Sequence, residues 1–266
     1  MRLQPSPAKL LATELGLAVA TPEKSRAPDF VEYLESLRAD ALVVASYGQI
    51  LSQRVLDSAR WGGINLHGSL LPKYRGAAPI QRSILAGEKE TGVTLMQMDK
   101  GMDTGDLIHI ARTEIDPDET YGELQDRLAL IAAEMATAWL PRIVAGDYSR
   151  TPQNSNLATT APKVERVETA LNPDFPAAAE YNRFRAFTPQ PGTVLRSRIG
   201  PIKLHGARLG SRQGAPGDIL SLKEGLEIAF ASGSILITEL QPEGKKRMSG
   251  RDFANGARLR VGERLL

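Results

Sequence analysis

Two short stretches of the chain hold residue types that can do chemistry. The first is Asn65 and His67, two polar residues two positions apart at the end of the run Ile64-Asn65-Leu66-His67. A strand turns successive side chains to opposite faces, so residues two apart share a face. An amide and an imidazole side by side can stabilise a developing oxyanion and move a proton. They could equally do no more than satisfy backbone groups where a strand ends. The second stretch is Gln97-Met98-Asp99-Lys100-Gly101-Met102-Asp103-Thr104-Gly105-Asp106, with three carboxylates among two glycines. Such a segment can bind a cation or simply turn the chain through Asx turns.

Several other chemistries are poorly served. The acidic stretch lacks the later Glu and the full set of acidic positions of an EF-hand loop. No Gly-x-Gly-x-x-Gly or Walker sequence cradles a phosphate. A triad of Ser69, His67 and Asp103 can be drawn, but Ser69 lacks the Gly-x-Ser-x-Gly elbow. With no cysteine there is no thiol nucleophile, and three histidines (His67, His109 and His205) make a dedicated zinc cage improbable. His109, between two isoleucines, reads as structural, and His205 has no ionisable neighbour in the sequence.

The positioning elements follow from periodicity. Ser6-Pro7 can open a helix through Leu10, Leu11 and Leu15 that Gly16 stops, and Phe30, Val31, Leu34 and Leu37 mark a second helix. Ala41 to Ala45 is wholly apolar, as expected of a strand buried on both faces. Further strands are expected at residues 64–67, 93–98 and 107–110, and a helix from Pro79 to Leu85 ended by Gly87. Thr120 and Glu123 form a capping box before Leu124, Leu128, Ile131 and Met135, with Pro141 expected to kink or end that helix. Strands alternating with helices indicate a parallel α/β sheet. From Tyr148 to Pro173 the periodicity fades into a linker. Beyond it, short β runs at 193–195, 202–204, 219–220, 226–228 and 234–237, punctuated by glycine, favour a small antiparallel barrel. A short helix over residues 249–255 closes the chain.

Hydrophobic residues at 42% and charged residues at 24% of 266 exclude a disordered tail, a collagen-like repeat and a disulfide scaffold. The net charge of +2 hides a division. Residues 1–170 carry 18 Lys and Arg against 22 Asp and Glu, whereas residues 171–266 carry 15 against 9. A basic second half suits contact with a polyanion, and Lys245, Lys246 and Arg247 are its densest cluster, although they could be only a solvated turn. The amino terminus has no apolar core of a signal peptide, and no uninterrupted apolar run reaches the ~18 residues of a membrane helix. The expectation is a cytoplasmic protein that does not enter a membrane.

Several strings together resemble the methionyl-tRNA formyltransferases of the folate-dependent formyltransferase family. They are Asn65-Leu66-His67-Gly68-Ser69-Leu70-Leu71-Pro72, Arg75-Gly76-Ala77-Ala78-Pro79-Ile80-Gln81, Thr91-Gly92-Val93-Thr94, Gln97-Met98-Asp99 and Asp103-Thr104-Gly105-Asp106. Two more, Arg185-Ala186-Phe187-Thr188-Pro189-Gln190-Pro191-Gly192 and Leu240-Gln241-Pro242-Glu243-Gly244-Lys245-Lys246, look like that family's carboxy-terminal domain. The resemblance implies a Rossmann-like, mostly parallel sheet followed by an OB-like β-barrel. Its boundaries would be a catalytic domain over 1–150, a linker over 151–173 and a tRNA-contacting domain over 174–266.

It also implies transfer of a formyl group from 10-formyltetrahydrofolate to the amino group of initiator methionyl-tRNA, by a monomer and without a metal. Asn65, His67 and Asp103 would be catalytic, Ser69, Leu70, Leu71 and Pro72 would line the folate pocket, and Lys245, Lys246 and Arg247 would contact tRNA. An α-amine with a pKa of about 7.7–8.0 is nucleophilic without strong activation. Asn65 and a protonated His67 would hold the oxyanion, and His67 or a water held by Asp103 would relay the proton. The alternatives are another folate-dependent formyl enzyme, such as a hydrolase or an amino-sugar formyltransferase, and a tRNA-binding protein without catalysis.

The family's usual opening strand, Gly-Thr-Pro loop, helix and strand, a βαβ unit of roughly 30 residues or more, is not seen before Leu3-Gln4-Pro5-Ser6-Pro7. On that reading the sheet is incomplete, Ala41 to Ala45 has an unpaired side, and the chain is expected to be poorly soluble or nearly inactive. The stretch from Leu171 to Asn182 also lacks the family's acidic-aromatic signature.

Overall fold

The computed structural model describes residues 5–266. Helix α1 (Pro7–Glu14) is opened by the Ser6 hydroxyl, which accepts from the Lys9 amide at 3.2 Å. Helix α2 (Pro28–Leu37) follows, burying Val31, and leads to β1 (Leu42–Val44), the one-turn helix α3 (Gln53–Leu56) and β2 (Gly63–His67). Helix α4 (Pro79–Leu85), β3 (Glu90–Gln97), β4 (Leu107–Glu114) and the long α5 (Tyr121–Ala145) complete the first part. The four strands form one sheet in the order β1-β2-β3-β4.

The α/β class is as expected, while parallel pairing within this sheet is confined to β1 with β2. Strands β2, β3 and β4 run antiparallel. The connection between β3 and β4 spans only residues 98–106, too short for the crossover of a dozen or more residues that a parallel pair needs. Strand β1 was expected to be buried on both faces, yet Val43 is 46% exposed. Among the described residues β1 pairs on one side only, and an edge strand is covered less than a central one.

The capping box of α5 is present, with the Thr120 amide donating to Glu123 at 2.8 Å. Pro141 does not end the helix, which runs on to a left-handed Gly146 at φ +75°. A proline removes one N–H and crowds the carbonyl four residues back, but the turn beyond it is held by Ile143, which is buried in the core. By length and composition alone α5 could cross a membrane. It nevertheless carries Glu134 and Arg142, and it buries Leu124, Leu128, Met135 and Ile143 in the same core as Ile64, Val93 and Leu95 of the sheet.

The expected linker is more structured than its composition suggests. It contains 3-10 turns at Ser155–Leu157 and Arg166–Thr169, and it ends in strand β5 (Ala170–Leu171), which belongs to the second sheet. Helix α6 (Ala177–Ala186), not foreseen in the sequence, comes next. The remaining elements are β6 (Thr193–Ser197), β7 (Gly200–Gly210), β8 (Ile219–Ser221), β9 (Leu226–Ala229), β10 (Ser234–Pro242), β11 (Met248–Ser249) and α7 (Gly250–Gly256). Their order is β5-β6-β7-β10-β9-β8, with β11 beside β10. Residues from six of these strands, including Leu171, Leu195, Ile202, Ile219, Ile228 and Ile237, share one core with Tyr181, Phe184 and Phe253 of the helices. Apart from the parallel β5–β6 pair the sheet is antiparallel, as expected, and the register of β10 on β7 shifts between Ile237 and Leu240.

Helix α6 joins the two parts. Tyr181 and Phe184 lie in the second core, while Ala186 and the following Phe187 lie in the first. The buried Arg185 donates from Nη1 to the carbonyls of Asp116 and Glu119 at 3.2 and 3.0 Å, and the Tyr181 hydroxyl donates to Asp118 at 2.8 Å.

Candidate active site

Strand β2 ends where the two suspect stretches meet. Asn65 Nδ2 lies 3.4 Å from Asp103 Oδ1, and His67 Nδ1 lies 3.6 Å from Asp103 Oδ2. Asp103 Oδ2 also accepts the Gly76 amide at 2.8 Å. His67 is buried, at 6% exposure, and its Nε2 is 2.9 Å from the Tyr74 carbonyl oxygen. A carbonyl only accepts, so Nε2 carries a hydrogen and Nδ1 is the ring atom turned to the carboxylate. The ring is thus held at Nε2 by the backbone and meets Asp103 at an ion-pair distance longer than a hydrogen bond. That leaves Nδ1 and the Asn65 amide as the groups able to engage a third molecule.

Each of these side chains is aimed by its local backbone. Tyr74 adopts φ +62° and Asp103 φ +54°, both left-handed and uncommon outside glycine. Tyr74 is anchored through its hydroxyl, which donates to Glu88 at 2.9 Å beside Lys73 at 3.2 Å. Burial and that carboxylate hold the Tyr74 phenol well above its ordinary pKa, and the Tyr74 hydrogen bond holds Glu88 below its own. Of the three carboxylates in the acidic stretch, Asp99 serves the turn, accepting the Gly101 amide at 2.9 Å and the Thr104 hydroxyl at 2.7 Å. Asp103 alone of the three reaches Asn65 and His67.

The loop after β2 is folded in on itself. The Ser69 hydroxyl donates to the Lys73 carbonyl at 2.7 Å and is fully buried, so it is spent on the turn. Thr94 of β3 donates to the Ser69 carbonyl at 2.6 Å and accepts the Leu71 amide at 3.1 Å. Leu71 is buried at 3% exposure, and the Leu71-Pro72 peptide is cis. A cavity of about 160 Å³ opens beside Asp103, lined by Gln49, Ile50, Leu51, Met96, Met98 and the loop 99–103. Ser69 to Pro72 are not among its walls.

Residues 2–144 match the formyl transferase family, and residues 164–258 match the formyl transferase carboxy-terminal domain family. The chain belongs to the formyl transferase family. Among its relatives are a methionyl-tRNA formyltransferase of Symbiobacterium thermophilum, 44% identical over 99% of this chain and 82% of its own length, and one of Halorhodospira halophila, 43% identical over 98% and 85%. Two solved structures share the fold at 19% identity. HypX from Aquifex aeolicus, in complex with tetrahydrofolic acid, has a TM-score of 0.68 over 86% of this chain and 41% of its own. The sugar 3N-formyl transferase WlaRD also has a TM-score of 0.68, over 91% of this chain and 82% of its own.

In this formyl transferase Lys245, Lys246 and Arg247 are exposed on the turn after β10, the Lys245 amide donating to the Pro242 carbonyl at 3.1 Å. Arg247 is ion-paired with Glu239, whereas neither lysine has such a partner among the described residues. A groove of about 890 Å³ on the same β-rich part is lined by Arg166, Arg196 and Lys203, with Glu243 its acidic residue. The sequence offered no sign of this groove, since its cations come from three separate segments.

Proposed function

We propose that this formyl transferase carries the formyl group of 10-formyltetrahydrofolate to the amino group of methionyl-tRNA. The observation that carries the reading is the convergence of Asn65, His67 and Asp103 at 3.4 and 3.6 Å within one site. The amine attacks the formyl carbon, and the carbonyl oxygen becomes an oxyanion. The Asn65 amide donates to that oxygen, and one good donor of this kind is worth about 3 kcal/mol. As the tetrahedral species collapses, the bond to the folate nitrogen breaks, that nitrogen gains a proton, and the former amine loses one. His67 Nδ1, facing Asp103, is the group placed to pass it.

The apolar walls Ile50, Leu51, Met96 and Met98 suit a flat heteroaromatic ring, and the loop from Ser69 to Pro72 supports the strand end behind it. We assign residues 1–150 as the catalytic domain, 151–173 as its connection and 174–266 as the tRNA-contacting domain, in a cytoplasmic monomer.

The test is formylation of methionyl-tRNA by Asn65→Ala, His67→Ala and Asp103→Ala chains. Each is expected to lose transfer by about 10²-fold or more while still binding tRNA. A His67→Ala chain of near-full turnover would overturn the mechanism, and transfer to an amino-sugar in preference to methionyl-tRNA would overturn the acceptor. Lys245→Glu with Lys246→Glu is expected to raise KM for tRNA and leave KM for folate unchanged, with a weaker salt dependence of tRNA binding. Equal effects on both substrates would indicate a folding defect.

A further inference from the structure

The segment after α5 reads as a featureless connection, yet it touches both loops that build the site. Thr151 and Leu107 exchange backbone hydrogen bonds at 2.8 and 2.9 Å, at the point where the Asp103 loop enters β4. Two residues on, the half-buried Gln153 spends its whole amide on the two loops. Its Nε2 donates to the carbonyls of Asp103 at 2.9 Å and Gly105 at 2.7 Å. Its Oε1 accepts from Arg75 Nε at 3.1 Å and Nη2 at 2.8 Å. Further along, Thr159 Oγ1 accepts the Tyr74 amide at 2.9 Å, and Ala161 exchanges backbone hydrogen bonds with Arg75 and Ala78 at 2.7 and 3.1 Å. The strap therefore grips Tyr74, whose carbonyl holds His67, and Asp103, whose carboxylate faces it.

We infer that Gln153 is a positioning residue for formyl transfer, tying the loop of Asp103 to the loop of Tyr74 and Arg75 so that His67 and Asp103 keep their mutual placement. The inference rests on the reading of Asn65, His67 and Asp103 as the catalytic group. The chemistry requires an amide here. Two carbonyl oxygens must be met by two N–H donors and a guanidinium by an acceptor, and only Asn or Gln supplies all three from one planar group. Asp103 sits in the left-handed region that side-chain-bearing residues adopt uncommonly, so its backbone must be held from outside. A carboxylate at 153 could still accept from Arg75, but it would leave both carbonyls unpaired and add a negative charge beside Asp103.

The experiment compares Gln153→Met and Gln153→Glu with the wild-type chain, using steady-state formylation across pH and amide hydrogen exchange. Gln153→Met is expected to lower kcat about ten- to hundredfold, as a misplacement near 1 Å would. KM for tRNA should stay within about twofold, since the substrate is not touched. The pH profile of kcat should move, and exchange should quicken in peptides spanning 73–78 and 98–107 but not in α5 or the second sheet. Gln153→Glu should be at least as impaired.

In an Asp103→Asn background, Gln153→Met should cost little more, because the glutamine acts through that residue. Wild-type kcat and exchange in Gln153→Met would overturn the inference, as would a loss that adds in full to that of Asp103→Asn. Full turnover by Asp103→Asn alone would instead overturn the site reading. The exchange comparison, which needs no turnover, then decides whether the strap holds the two loops.

Discussion

Gly76 shows how a single backbone position supports the chemistry. It has φ +129°, donates its amide to Asp103 at 2.8 Å, and a Cβ there would lie 2.6 Å from the Ala161 carbonyl oxygen. Strain and overlap act together, so Gly76→Ala is expected to destabilise the chain by roughly 1–3 kcal/mol. Because the same displacement pulls the amide off Asp103, formylation should fall further than the folded fraction does at the assay temperature. A Gly76→Ala chain with unchanged melting temperature and turnover would refute this. The string Arg75-Gly76-Ala77-Ala78 thus has a physical content beyond resemblance: the glycine is what lets the loop approach the strap.

Among the elements, α4 and the 3-10 turn Arg166–Thr169 are joined by one strong ion pair. Arg82 of α4 donates to Glu168 from Nη1 at 2.6 Å and from Nη2 at 2.9 Å, and also to the Pro162 and Lys163 carbonyls. The Arg82 hydrogen bonds outweigh burial and hold the Glu168 carboxyl down at about 2, below its ordinary 4.5. A carboxyl lowered in the folded state stabilises fully above its unfolded value, and the contribution is lost as pH falls from about 4.5 through about 2. The wild-type chain should therefore lose stability over that interval, while Arg82→Gln should start roughly 1–3 kcal/mol less stable and show a shallower acid slope. Parallel acid slopes for the two chains would show that the pair contributes nothing.

For the whole molecule, α6 couples the two cores, because its residues sit in both and Arg185 bridges to the loop before α5. Burial pushes the Arg185 guanidinium down from its usual value, and neighbouring Tyr181 and Asp118 oppose this. The wild-type chain is expected to unfold in one calorimetric transition. Arg185→Met leaves the Asp116 and Glu119 carbonyls without this donor and should cost about 2–3 kcal/mol. It should also split the transition in two, the β-rich part and the α/β part melting separately. A single transition at an unchanged temperature would show that the cores are coupled elsewhere.

Local physics in the sequence determined much of this protein. Caps and stops set α1, α4 and α5, because Ser6, Pro79 and Thr120 act on the nearest turn and need no partner from elsewhere. Alternation set β2 and with it the shared face of Asn65 and His67. The choice of Asp103 over Asp99 and Asp106 came from resemblance alone, since spacing cannot tell a turn-forming carboxylate from one aimed across to another strand.

Tertiary structure decided the rest. The antiparallel run of β2, β3 and β4, the half-exposed β1 and the survival of α5 past Pro141 depend on pairing and burial that no window of sequence contains. The same holds for Gln153 and Tyr74. One lies in a polar stretch without periodicity and the other acts through its carbonyl, so their roles exist only once chain segments about 80 residues apart are brought into hydrogen-bonding contact.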